Sequence, residues 1–110
     1  MTLSLPDAVL TCFDIINGGN PTRVSDCFRP DATVTDENQR HQGLSAIEAW
    51  QRETRQAFTY QVEPLEAAAE NGALNVKARL TGNFPGSPVQ LDHVFVLQQG
   101  QIQSLEIKPS

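Results

Sequence analysis

"NGALNVKARLTGNFPGSPVQLDHVFVLQQGQIQSLEI", Asn71 to Ile107, decides the fold. Leu74, Val76, Ala78 and Leu80 alternate with Asn75, Lys77, Arg79 and Thr81, the pattern of a strand buried on one face. Asn71-Gly72 ahead of it is a strong hairpin signal. "FPGSP", Phe84 to Pro88, makes the next turn. A strand follows from Val89 to Gln98, then a Gln99-Gly100 turn, then a strand from Ile102 to Ile107. Upstream, Tyr60 and Val62 alternate with Gln61 and Glu63. Pro64 inside that run marks a bulge or an edge strand, because proline donates nothing to a ladder. Four consecutive strands joined by tight turns make an antiparallel meander.

The first half of the chain has a different period. Val9, Cys12, Phe13 and Ile16 recur at i, i+3, i+4 and i+7, one apolar stripe of a helix. Ser4-Leu5-Pro6-Asp7 reads as its start, with Ser4 as cap, and Gly18-Gly19 as its stop. Asn20-Pro21 opens a short second helix through Val24, Cys27 and Phe28, which Pro30 ends. A strand is expected over Ala32–Asp36, then a polar loop, "ENQRHQG". Leu44 to Phe58 reads as a third helix, with Ile47, Trp50, Thr54, Ala57 and Phe58 on one side. The expected architecture is α+β: three N-terminal helices covering one face of a bent, mostly antiparallel sheet. A pocket between helices and sheet suits a small ligand.

Length and composition agree. The chain has 110 residues, which implies a single domain, 1–110, able to bury its own core without a metal or disulfide. The net charge is −5, with eight scattered basic residues, so neither a nucleic-acid partner nor a membrane surface is expected. The longest apolar run is Val94–Leu97, far short of the roughly 20 residues a membrane span needs. "MTLSLPDAVL" has no basic n-region and no long apolar core, so no secretory signal is expected. Cys12 and Cys27 lie in apolar helical patterns outside any metal spacing. They read as buried thiols of a cytoplasmic protein, with a disulfide open if their segments pack together. The two histidines form no HxH or HExxH pattern, and no phosphate loop, dinucleotide fingerprint or serine elbow occurs. No metal or cofactor is expected.

Two further stretches carry a resemblance. "LPDAVLTCFDIINGGNPTRVSDCFRPDATVTDENQRHQGLSAIEAW" and "HVFVLQQGQIQSLEI" together resemble the ketosteroid isomerase-like, SnoaL-like proteins of the nuclear transport factor two superfamily. The resemblance spans essentially the whole chain. It implies a cone of strongly curved sheet around a long helix, an internal pocket, and frequent homodimerisation through the outer sheet face, here Val94 and Val96. It does not fix an activity.

Asp36 closes "DATVTD", where isomerases of that family carry a carboxylate base. Moving a proton next to a carbonyl needs such a base and a donor for the enolate oxygen. The alternative is a solvated Asp capping a turn. Glu37 alternates away from it, and His41 can fold over the pocket mouth or stay on the surface. His93 shares a strand face with Leu91, Phe95 and Leu97 and matches a position where the family often carries an acidic pocket residue. It serves as acid, base or donor near neutral pH, or else as a satisfied core histidine. Phe13, Ile16, Val34, His41, Trp50, Tyr60 and Phe95 complete the expected pocket. The family's oxyanion tyrosine on the first helix is replaced here by Cys12 beside Phe13; a thiol is a poor donor and Phe donates nothing. Tyr60 can take that place. The sequence therefore supports a small-molecule pocket protein of isomerase or cyclase type acting on an apolar carbonyl compound, or a non-catalytic ligand-binding or dimerisation module.

Overall fold

A computed structural model describes residues 4–109. Its elements run α1 (Asp7–Ile16), a 3-10 turn (Pro21–Arg23), α2 (Val24–Cys27), β1 (Phe28–Asp36), β2 (Gln39–Gln42), α3 (Leu44–Ala57), β3 (Tyr60–Glu70), β4 (Ala73–Gly82), β5 (Val89–Gln98) and β6 (Gln101–Pro109). Six strands form one open sheet in the order β2-β1-β6-β5-β4-β3. All pairings are antiparallel except β1 with β6. Register shifts in β1 (Phe28 to Thr33), in β3 (Pro64 to Glu66) and between β5 and β6 at Val96–Leu97 interrupt the ladders. Such bulges increase twist and bend the sheet, here around the helices as an α+β cone.

Three hairpins share one turn geometry. Glu37-Asn38, Asn71-Gly72 and Gln99-Gly100 each place both central residues at positive φ, the pattern that matches the twist of the flanking strands. The first of these turns β1 back into β2, which overturns the expected polar loop. "QRHQ" lacks β-branched or apolar residues, and Glu-Asn lacks the glycine that marks such turns. The next chain reversal, at Gly43, opens α3 with φ 89°.

The short second helix also ends early. α2 stops at Cys27 and β1 begins at Phe28, with Pro30 inside the irregular stretch where no N–H is required. At the start of α1 the cap position is Pro6, with no side-chain cap, so Ser4 does not serve as one.

The core lies between the inner sheet face and the apolar stripes of α1 and α3. Val9, Cys12, Phe13 and Ile16 are all buried, as the spacing requires, and pack toward Val34, Phe95 and Leu105. Cys12 and Cys27 are buried free thiols, and burial pushes both up, Cys27 to about 12. The chain's close approach at the end of β4 needs glycine: a Cβ on Gly82 would run into the Thr59 carbonyl.

Polar clips tie helices to strands. Asn17, at the end of α1, accepts from the Val62 N–H (2.7 Å) and donates to the Val62 carbonyl (2.9 Å), satisfying both backbone groups of an edge strand. Gln51, 1% exposed on the inner face of α3, donates to the Ile15 carbonyl (3.4 Å) and the Tyr60 hydroxyl (3.5 Å). Replacing Asn17 with Ala strands both groups of Val62 in a partly buried site. The Asn17→Ala protein is expected to lose about 1–2 kcal/mol in urea unfolding with an unchanged m-value; a loss within error would show that the clip contributes nothing.

Candidate functional site

Pairing in the sheet sets the site. Asp36 of β1 pairs with Ile107 of β6, and Ile107 pairs with His93 of β5. His93 in turn pairs with Val76. Paired residues share a face, so Asp36, Ile107 and His93 form one row on the inner side, with Asp36 and His93 about 10 Å apart across two strand spacings. On the other edge Gln39 pairs with Asp36, and His41 with Val34. The row below, Val34, Leu105, Phe95 and Leu74, is mostly buried apolar side chains.

Above that floor opens a cavity of about 670 Å³. Of the residues singled out in the sequence, Asp36, His93, Ile16, His41, Trp50 and Tyr60 line it. Phe13, Val34 and Phe95 do not: they are core residues, 4%, 0% and 0% exposed, one row deeper than the wall. Phe13 packs edge-on to Phe95 (5.8 Å between centroids) and against the His93 ring (5.3 Å). At this level Phe13 of α1 packs into the cone against Phe95, so these side chains face the core rather than this cavity.

Asp36 is half-buried and its Oδ2 accepts from the Trp50 Nε1–H at 3.1 Å. That single donor orients the carboxylate and leaves its other lone pairs toward the cavity it lines. Glu37 also lines the cavity, although it stands at the exposed turn, because its positive φ breaks the strand alternation that would aim it outward. His41 lies 6.1 Å from the Trp50 ring on the same wall.

Tyr60 is buried and lines the cavity from β3. Its hydroxyl accepts from Gln51, so its own proton remains free to donate. Burial pushes the phenol up and the Asp36 charge adds to this, while the Gln51 hydrogen bond and Arg55 pull the other way. Tyr60 therefore stays a protonated donor at neutral pH. Arg55 lies over the Tyr60 ring, 4.6 Å from its centroid, and donates to the Tyr60 carbonyl at 2.8 Å. Gln51 was missed in the sequence, although it stands four residues after Ile47 on the apolar stripe; a polar residue in that stripe was the available signal.

His93 is 2% exposed and its Nδ1 has no hydrogen-bond partner. Burial pushes its imidazole down to about 4, only partly offset by the backbone of Leu91, the Asp92 carboxylate and the backbone of Val76. It is a neutral ring at pH 7. The mouth is aromatic: Phe58, 41% exposed, meets Phe84 edge-on with 6.1 Å between centroids. The Phe84 loop is pinned to the start of β3 by paired hydrogen bonds between Asn83 and Thr59 (3.0 and 3.1 Å). Among the described residues no His, Cys, Asp and Glu group is arranged to hold a metal ion, and no helix is long and apolar enough to cross a membrane.

Comparison with known proteins agrees with this geometry. Residues 9–104 match the model of the SnoaL-like domain. A structure from Sinorhizobium meliloti, provisionally a polyketide cyclase, is 41% identical, with TM-score 0.88 over 94% of this chain and 95% of that one. A SnoaL-like protein from Jannaschia sp. CCS1, also provisionally a polyketide cyclase, is 22% identical, with TM-score 0.77 over 97% and 89%. A protein from Catenulispora acidiphila with a ketosteroid isomerase-like fold, in complex with trimethylamine, is 20% identical, with TM-score 0.84 over 97% and 88%. The last two share the fold with this chain. No curated protein matches it.

His93 also makes a pH prediction. A histidine in the unfolded chain titrates near 6.5, whereas folded His93 titrates at about 4. Between these values the unfolded chain binds the extra proton, so stability rises with pH across the window and is lost as pH falls through it; above 6.5 both states are neutral and the effect vanishes. The cost amounts to about 3 kcal/mol by pH 4. In urea unfolding from pH 7 to 4.5, a His93→Leu protein should lack most of this decline. Parallel stability curves for the two proteins would refute the assignment.

Proposed function

The chain belongs to the SnoaL-like domain family, and on that premise we propose that its cavity is a cofactor-independent catalytic pocket for a small, largely apolar carbonyl compound. Asp36 is the general base. The observation that carries this is the carboxylate held on the cavity wall by one N–H, from Trp50, opposite a phenol free to donate. Asp36 takes a proton from the carbon next to the carbonyl; the C–H electron pair moves into the enolate, and its oxygen receives the Tyr60 O–H hydrogen bond. Returning the proton at another carbon completes an isomerisation. Attack of the enolate carbon on a second carbonyl breaks that C=O π bond, and transfer of the proton from Asp36 to the resulting alkoxide completes a cyclisation. The polyketide cyclase assignment of the Sinorhizobium relative supports this reaction class.

The division of labour follows from the environment. The Trp50 hydrogen bond fixes the orientation of the base and leaves its remaining lone pairs open to the cavity. The apolar wall, with Ile16, Val62, Leu80 and Ile107, strips water from the reacting carbon and strengthens the remaining electrostatics. Neutral His93 is a second polar group beside the same space, one strand from Ile107.

We also propose that copies of the chain pair through the outer sheet face, where Val96 is 37% exposed beside Val94. Light scattering at micromolar concentration should give twice the chain mass; a strict monomer removes this part of the reading.

The catalytic part is tested by deuterium exchange. Cyclic ketones and enones are screened for exchange of the hydrogens next to the carbonyl, followed by NMR. Asp36→Asn should lower the rate by about 10²–10⁴-fold and Tyr60→Phe by about 10²-fold, with ligand affinity little changed. An Asp36→Asn protein that exchanges as fast as the wild type would sink the base assignment.

A further inference from the structure

We infer that the cavity takes an alkylammonium group, a small organic cation bearing methyl or short alkyl substituents on nitrogen, with Asp36 as counter-ion and Trp50, Phe58 and Phe84 as the aromatic wall. This assigns a substrate class to the cavity of the proposed function and rests on that reading only in sharing its pocket.

The charge inventory points one way. The lining carries three carboxylates, Asp36, Glu37 and Glu53, and neither lysine nor arginine. An entering anion meets like charges and no lysine or arginine, while a cation finds a half-buried carboxylate. Glu37 and Glu53 are exposed, so salt screens them and they act mainly on approach. The nearest guanidinium of α3, Arg55, is committed to the ring and carbonyl of Tyr60. Burial keeps His93 neutral at pH 7, so it adds no opposing charge to the wall.

Ring chemistry points the same way. Trp50, Phe58 and Phe84 present aromatic surface to the cavity, and an aromatic face attracts cations through its quadrupole. The Arg55–Tyr60 stack shows that interaction already made within this wall. A trimethylammonium group has a greasy surface and a diffuse charge, which suits rings and carboxylate together better than a strongly hydrated ion.

Calorimetric titration tests the inference with three probes of one shape: choline, the alcohol in which tert-butyl replaces trimethylammonium, and tert-butylacetate. Choline should bind about tenfold or more tightly than the neutral alcohol, and the carboxylate least. Asp36→Asn should cut the preference for choline over the alcohol at least about threefold. Glu53→Gln, on the exposed face of α3 where folding is not at risk, should reduce it less, and added salt should lower what Glu53 contributes. The inference is overturned if choline shows no binding, binds no tighter than the alcohol, or loses to the carboxylate. An unchanged preference in both variants overturns it equally. Deuterium exchange on neutral ketones is a separate readout. Exchange that persists without a preference for choline removes the ammonium assignment alone, and a preference without exchange removes the catalytic reading alone.

Discussion

Ile107 sits between two partners, Asp36 on the parallel side and His93 on the antiparallel side, and the site depends on that register. Side chains alternate along a strand, so a slip by one residue would turn Asp36 out and bring Thr35 or Glu37 in. The polar residues do not hold the register themselves. The row beneath does, where Val34, Leu105 and Phe95 are fully buried. Each contributes about 1.5–3 kcal/mol by leaving water, so exposing all three costs more than any single polar contact could recover. Apolar packing thus dictates where the carboxylate stands.

The helices complete what the sheet begins. α3 brings Trp50 to Asp36 and Gln51 to Tyr60 from adjacent positions of one helical turn. Asn17 fixes the end of α1 to Val62 near the start of β3, the strand that carries Tyr60. The polar clips therefore cluster around the cavity, while the deeper core is apolar. Two residues higher on the sheet, Ile16 of α1 forms part of the wall and the cavity opens beyond it. Its cost is apolar burial forgone.

Much of this was legible because it rests on period and parity. The alternation of Leu74, Val76, Ala78 and Leu80, the stripe of Val9, Cys12, Phe13 and Ile16, and the inward parity of His93 all follow from side-chain direction alone. Other features depend on what a segment meets after folding. "QRHQ" is a strand only because a tight turn lays it against β1, and its polar side chains give no sign of this. Pro30 sits in β1 because the ladder is irregular there. Depth was the hardest quantity. Phe13, Val34 and Phe95 carry the right parity for a pocket wall, but parity does not say how far α1 penetrates the cone. Gln51 was hidden by its polarity, since a buried amide is readable only once its two acceptors are in place.

The Trp50–Asp36 contact limits what the pocket can do. A carboxylate that accepts an indole N–H is held in place as an anion, while its other lone pairs stay open to take a proton. A substrate bearing both a carbonyl and an ammonium group would use both qualities. The cation would neutralise the acidic wall and stabilise the negative charge that develops as the enolate forms. A neutral substrate gains only the Tyr60 donor and meets a field set against the growing negative charge. The absence of Lys and Arg from the lining is thus unfavourable to an enolate on its own and favourable to one whose precursor brings its own positive charge. In the proposed reaction, charge balance in the transition state would couple the choice of substrate to the choice of base.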